Sequence, residues 1–554
     1  MNRKRMLLFR ILACMMLAGT AAAQPLTQVR LCAEWEPSCG TLIRWPLGIP
    51  SQLVVELAED DSLYVLVENP SQQSQAVATF TSWGVNLDHC RFITADTYSH
   101  WTRDWGPHSM FDGQGSWGII DPVFDGYPWI PGGPYENYMN SRGYEEDDAV
   151  NAALALEFDC PLHQFPAYLT GGNFMTDGHG LGYSTLAMLT ENEPLWSHSQ
   201  FLDLSEEWLG LDTYFITVNP EDYGIQHIDC CAKLLDEETI LLKQVPTYHP
   251  EYDRLETIND QLTTAMNCYD RPYEIVRIYC EPYSGDDVAA YTNSYILNTK
   301  VLVPLFGVSS DSSALQTYQE AMPGYEVIGI PYEGWYYYDA LHCRTREIMD
   351  RGMLLIWHRR MDDEVPWQEQ HLVQAMVRPY SGAGLAAGEL NVGWRVDQGG
   401  WQFSQLTPSG PDSVQGFIPG QPAGSIVDYY ITAADSSGRQ ETLPRTAPDG
   451  FYSFTVTTPS GTEQEPSGVE PEFSVSPNPA RSRVRVDFAL TEAEEIDLSV
   501  FDLSGRLVSR LKSSLMEAGT HSFIWTPEGI SPGCYFVRLQ TATAVHSRYV
   551  IIVE

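Results

Sequence analysis

The chain has 554 residues, 43% of them hydrophobic, and 73 acidic against 32 basic side chains give a net charge of −41 at pH 7. That length is more than one hydrophobic core serves, so about three or four domains are expected. So negative a charge disfavours nucleic acid and anionic membranes as partners, while it favours solubility and draws in cationic, arginine-like groups.

Met1-Asn-Arg-Lys-Arg opens the chain, an apolar run from Met6 to Ala18 broken by Arg10 follows, and Ala21-Ala22-Ala23 closes the segment. A basic start, a short apolar stretch and an Ala-x-Ala end read as a secretory signal peptide over residues 1–23. It is too short for a comfortable membrane span, and no later segment approaches about 20 apolar residues. The mature chain is therefore expected to be exported. Of the 11 cysteines, Cys14 falls in this leader. Export permits disulfides among the others, with Cys32–Cys39 and Cys268–Cys280 as local pairs and the connectivity open. Adjacent Cys230 and Cys231 cannot bridge each other without strain.

Residues 24–370 mix short apolar strands with helical stretches. Segments 51–57, 76–83, 148–155 and 314–321 read as parts of α/β units, and the runs 295–297 and 301–305, joined at Asn298-Thr299-Lys300, read as a hairpin. Periodicity reveals no repeat. Within this region lie Trp101-Thr-Arg-Asp104, Gly171-Gly-Asn173, His227-Ile-Asp229, Thr292-Asn-Ser294 and Leu341-His-Cys343. They supply carboxylates, a histidine and a cysteine, the inventory for holding a guanidinium ion and attacking its central carbon. Two carboxylates each take a fork of N–H donors, a thiolate attacks, and an imidazole handles the protons.

Each string also has a plain structural reading. Asp104, next to Gly106-Pro107, reads as a turn residue bonded to its own backbone. Gly171-Gly172-Asn173 permits close backbone approach to a ligand and equally suits a loop. On a strand, the i, i+2 spacing of His227 and Asp229 would put both on one face with Cys230 pointing away. Cys343 stands between His342 and Arg344 with Arg346 nearby, positive neighbours that lower a thiol pKa, or it is an inert buried cysteine.

Beyond Trp367 the texture changes. Residues 371–458 carry short β-type runs at 390–396, 414–418 and 426–433 separated by Gly, Pro and Ser, which suggests a β-sandwich of immunoglobulin-like size. Residues 459–472, rich in Pro, Gly, Ser and Glu, read as a flexible linker. In 473–554, Val484, Val486, Phe488 and Leu490 alternate with polar neighbours, as do Ile496, Leu498 and Val500, so this is a second small all-β domain.

These strings carry two resemblances. Ala33-Glu-Trp-Glu-Pro37, Trp101–Pro107, Gly171–Gly178, His227–Asp229, Tyr291–Ser294 and Val303–Gly307 resemble, in order, the agmatine deiminase family. Asp339-Ala-Leu-His-Cys-Arg-Thr345 is closer to the Porphyromonas-type peptidylarginine deiminases, the secreted branch of that superfamily. The tail strings Ser476-Pro-Asn-Pro479, Val500–Arg506 and Pro532–Leu539 resemble the C-terminal sorting domain of proteins exported by the type IX secretion system, which makes that machinery a partner and a Gram-negative cell surface or its surroundings the destination.

The first resemblance implies a pentein fold, a five-bladed pseudo-symmetric α/β propeller, followed here by two small all-β sandwich domains. It implies Cys343 as nucleophile, His227 as general acid/base, Asp104 and Asp229 as guanidinium ligands and Asn293 in support. Trp101, Gly172, Asn173, Tyr127 and Trp129 would line the substrate site. The implied chemistry requires no metal and no organic cofactor. One departure matters: the Porphyromonas-type enzyme has two arginines after its first aspartate that hold a C-terminal carboxylate, whereas 124–133 here has none. Strict preference for C-terminal arginine is therefore not expected. The leading substrate is an arginine-containing peptide, with agmatine or another small guanidine as the alternative. A papain-like protease is disfavoured by the late cysteine, and a non-catalytic surface adhesin is the remaining rival.

Overall fold

A computed structural model describes residues 29–127, 144–193, 195–222, 224–458 and, with short breaks, 473–552. The leader at 1–23, Trp129 and the linker at 459–472 lie outside the described residues. The chain divides into two compact units, Met1–Pro459 and Ser460–Glu554.

Among the described residues, the larger unit opens as an α/β structure of five small mixed sheets without a closed barrel. The strands Lys300–Leu305 and Thr239–Gln244 show its logic, because nearly every residue is buried, as expected for strands covered on both faces. Lys300–Leu305 pairs antiparallel with Tyr295–Leu297, and a helix, Asp311–Ala321, carries the chain to the parallel strand Glu326–Pro331. The same unit recurs with Ala232–Leu234, Thr239–Gln244, helix Tyr252–Thr263 and Glu274–Tyr279. It recurs again around Leu181–Thr185 and around Trp117–Val123. The fifth sheet joins the two ends of the α/β region: Arg346–Met349 pairs antiparallel with Ser38–Arg44, which continues into parallel Ser62–Val67 and Cys90–Thr94.

The helices bury one stripe each. Leu255, Ile258 and Leu262 of Tyr252–Thr263 face the core at helical spacing. Pro70–Trp83 begins where Asn69 accepts the amides of Ser71 and Gln72, and ends at Gly84 with φ 77°. The helical stretches and the hairpin read from sequence are therefore present. The recurrence of the unit is a finding of the structure.

The same unit ends in two facing β-sheets. Leu354–Trp357, Gln370–Pro379, Ser413–Pro419 and Thr407–Gly410 form one, and Asn391–Val396, Ile426–Ala434 and Tyr452–Thr457 are the centre of the other. Val373, Val377, Val392, Ile418, Tyr429 and Phe454 fill the space between. In the smaller unit, Val484–Leu490 and Glu494–Asp502 lie in separate sheets, and their alternating residues Val484, Val486, Phe488, Leu498 and Val500 meet in one core. Among the described residues no helix is long and apolar enough to cross a membrane.

The two suggested local disulfides are absent, since Cys32, Cys39, Cys268 and Cys280 are all free thiols. Their surroundings differ within each pair. Cys32 lies against the Arg30 guanidinium while Cys39 lies in the Asp350–Arg439 neighbourhood, and Cys280 turns onto the carbonyl of Ile278 while Cys268 lies near Asp177.

Candidate active site

Four short turns converge where strands of the α/β region end: Thr102–Trp105, Gly171–Asn173, Ile228–Cys230 and His342–Arg344. The strand expected for His-x-Asp is not formed. Gln226 has φ 57°, His227 is extended, and the chain then tightens into the turn Ile228–Cys230. The cause is Asn173, whose side-chain oxygen accepts the amide of Ile228 and both the amide and hydroxyl of Thr185, each at 3.1 Å. Those bonds fasten the Gly-Gly-Asn turn to the His-x-Asp turn. Cys230 consequently does not point away: its sulfur lies 3.5 Å from Asp229 Oδ1.

The side chain of Asp104 is not bonded to its own turn. Its buried carboxylate accepts the amide of Gly172 at 3.0 Å and the hydroxyl of Tyr127, and lies 3.7 Å from His227 Nδ1. Gly172 forms the floor between these groups. A Cβ there would sit 2.7 Å from Asp104 Oδ1, 2.7 Å from His227 Nδ1 and 3.1 Å from Asp229 Oδ2, so no side chain fits without displacing one of them. The Tyr127 ring continues the wall, edge-on to Trp101 at 5.6 Å and 5.9 Å from the His227 ring.

Cys343 completes the arrangement. Its sulfur receives Asn293 Nδ2 at 3.2 Å and lies 3.7 Å from Asp229 Oδ2. Asp229 is gripped in turn by His342 Nδ1 at 2.8 Å. The structure thus brings together Asp104, His227, Asp229, Asn293 and Cys343 around Gly172, with Trp101 and Tyr127 at one side. Asn173 lies behind them, its side-chain oxygen spent on Ile228 and Thr185.

The expected activation of Cys343 by basic neighbours is overturned. Arg344 forms a two-pronged ion pair with Asp339 at 2.8 Å, and Arg346 turns away to donate to the carbonyl of Pro107. Burial, followed by the carboxylates of Asp229, Asp339 and Asp104, holds the thiol well above its ordinary value, with the Asn293 bond acting the other way. Burial also raises Asp104 to about 8, reinforced by Asp229 and opposed by the bonds from Tyr127 and Gly172. For Asp229, burial acts upward, but the hydrogen bond and charge of His342 prevail and hold it low. Burial lowers His227 to about 4 despite Asp229. The site therefore combines an ionised carboxylate, a protonated one, a neutral imidazole and an un-ionised thiol. A planar cation placed among them would favour the charged forms of both Asp104 and Cys343.

Sequence reasoning missed His342 as a ligand of Asp229, and also Glu34, which lies 2.7 Å from the other nitrogen of that ring. His342 had been read only as a positive neighbour of the cysteine. Glu34 lay in an opening string whose chemistry was not assigned.

Residues 30–348 match the family described as Porphyromonas-type peptidyl-arginine deiminase, and residues 474–553 match a secretion system C-terminal sorting domain. A protein of Mycoplasma capricolum assigned as an agmatine deiminase is 26% identical over 269 residues, 43% of this chain and 71% of that protein. A Shewanella frigidimarina protein with the same assignment is 23% identical over 289 residues, 47% of this chain and 76% of that protein. Among solved structures, the agmatine deiminase of Enterococcus faecalis matches the fold with a TM-score of 0.50 at 17% identity, over 59% of this chain and 100% of that one.

Proposed function

The chain belongs to the Porphyromonas-type peptidyl-arginine deiminase family, hydrolases of the C–N bonds of linear amidines, and from that premise we propose that it converts peptidyl-arginine to citrulline and ammonia through a covalent intermediate on Cys343. The observation that carries this reading is the placement of Asp104 and Asp229 on either side of Gly172, with His227 and Cys343 turned into the same space. A guanidinium lying over Gly172 would present N–H forks to both carboxylates and its carbon to the sulfur.

In this reading Cys343 adds to the guanidinium carbon, its proton passing to His227 and on to the amino group that leaves as ammonia. A thiouronium remains. His227 then takes a proton from water, the hydroxide adds to the same carbon, and the C–S bond breaks to release the ureido product and return the thiol. Asp104 and Asp229 hold the cation throughout, Asn293 steadies the sulfur, and Trp101 and Tyr127 flank the substrate. No metal or organic cofactor takes part in these steps. The five mixed sheets are read as the blades of a pseudo-symmetric propeller with this site on its axis, and the two facing-sheet regions as an immunoglobulin-like sandwich and a sorting sandwich.

Two features support an extracellular peptide substrate. The 1–23 leader reads as an export signal, and the tail resembles domains handled by the type IX secretion machinery, which directs cargo outside the cell or onto its surface. Agmatine is the second reading, favoured by the curated relatives' assignment and by the lack of arginine at 124–133. Ammonia and ureido product should be measured from a blocked arginine peptide, free arginine and agmatine, with Cys343→Ala as control. Turnover of the peptide that is lost in the variant supports the first reading. Turnover of agmatine alone moves the substrate to small amines.

A further inference from the structure

Behind Asp229 stands a second row of polar groups, buried except for half-buried Glu34, that the proposed reaction does not use. His342 Nδ1 lies 2.8 Å from Asp229 Oδ2, and its Nε2 lies 2.7 Å from Glu34 Oε2. The other oxygen of Glu34 accepts Lys233 Nζ at 2.7 Å, and Arg103 Nη2 approaches Glu34 Oε2 at 3.7 Å. Arg103 is in turn paired with Glu347 at 2.7 Å, and Arg346 lies 3.7 Å from Glu347. His342 is also fixed through its backbone, which donates to Asn293 Oδ1 at 3.0 Å, and it directly precedes Cys343. One residue thus touches the carboxylate, the carboxamide and the chain segment that together face the reacting carbon.

We propose that His342 is a positioning residue of the deimination, which holds the Asp229 carboxylate against the guanidinium and is itself locked by Glu34 and Lys233. This rests on the deiminase reading above. Both ring nitrogens of His342 face carboxylate oxygens, so neither is free to move a proton at the substrate. His227 is the opposite case: among the described residues its buried Nδ1 has no hydrogen-bond partner, and it lies beside Asp104 and the Gly172 floor. The two histidines divide the work, one transferring protons and the other holding a carboxylate. Among the described residues Asp104 has no such support, since its donors there are the neutral Gly172 amide and Tyr127 hydroxyl. The asymmetry is useful because a cation needs one fixed anion to enter against. A carboxylate held by a hydrogen-bonded charged network keeps that geometry in a low-dielectric site.

The test compares full-length wild type, His342→Gln and Glu34→Gln for ammonia release across pH, with thermal melting as a check on folding. The expected result is a fall in kcat/KM of about 100-fold for His342→Gln and about tenfold for Glu34→Gln. The acid limb of the profile should move to higher pH in both, because Asp229 loses its partner in His342→Gln, and in Glu34→Gln that partner loses the carboxylate that holds it. A merely structural role would scale the profile down without moving that limb, and this outcome overturns the proposal. If His342→Gln does not fold, Glu34→Gln, which keeps its side-chain volume, decides by the same criterion. Absence of turnover by the wild type on every guanidine overturns the deiminase reading itself, and the proposal with it.

Discussion

Asn293 Nδ2 lies 3.2 Å from Cys343 Sγ, while the oxygen of the same carboxamide accepts the backbone amides of His342 at 3.0 Å and Cys343 at 3.3 Å. Those two bonds fix which end of the amide meets the sulfur. A donor held there favours the thiolate over the thiol. Asn293→Ala should therefore lower kcat about 100-fold with native circular dichroism retained, and Asn293→Asp should be worse because it sets a carboxyl beside the sulfur. Steady-state kinetics of the two variants check this, and an unchanged kcat in Asn293→Ala would show that the contact is idle.

Asp104 takes its proton at about 8 because it is buried, with Asp229 close by. At pH 7 the ligand-free folded chain must hold a proton there that the unfolded chain gives up, which costs stability. Asp104→Asn removes that cost and should raise the melting temperature at pH 7, a gain of roughly 2 kcal/mol, while abolishing turnover. Differential scanning calorimetry beside an ammonia assay separates the effects. A destabilised Asp104→Asn would mean that the empty site tolerates the charge.

Several other buried carboxyls share this behaviour, chiefly through burial: Glu221 at about 8, Asp121 at about 7, and Asp147 and Asp236 at about 6. From about pH 4, where an exposed carboxyl ionises, up to each of these values, the folded chain holds a proton at the position and the unfolded chain does not. Stability must then fall as pH rises through that window. Burial sets His227 and His358 at about 4, and they act in the other direction, losing stability as pH drops below about 6.5. With Asp104 these raised carboxyls number five and outweigh the two imidazoles, so the melting temperature should fall from about pH 5 to pH 8. A monotonic rise from pH 6 to 8 would contradict this assignment.

Gly172 gives a steric prediction. Alanine there would bring a methyl group to 2.7 Å from both Asp104 Oδ1 and His227 Nδ1. Displacement of either group by even part of an ångström should cost about 100-fold in kcat/KM. The kinetics of Gly172→Ala, with melting to confirm the fold, check this, and near-wild-type turnover would remove Gly172 from the floor of the site.

Much of this could be read in the sequence, because local signals decide local structure. Tyr295–Leu297 and Lys300–Leu305 pair around Asn298, whose φ of 53° suits the turn the sequence suggested. Val484, Val486 and Phe488 alternate in sequence and are buried in the structure. The recurring α/β unit was hidden because pairing, not sequence likeness, defines it. His227 and Asp229 have strand-like spacing, yet the distant Asn173 draws them into a turn. Cys343 has cationic neighbours in sequence, but the field at its sulfur comes from Asp104, Asp229 and Asp339. Distances across the fold cannot be counted along the chain.

The most direct measurement is the intact mass of the full-length protein, acid-quenched during turnover of a blocked arginine peptide, followed by peptide mapping. The expected result is an adduct of substrate minus ammonia on the peptide containing Cys343, absent from Cys343→Ala together with ammonia release. Continued ammonia release by Cys343→Ala, or an adduct mapping to Cys230, would contradict Cys343 as the residue that attacks the guanidinium.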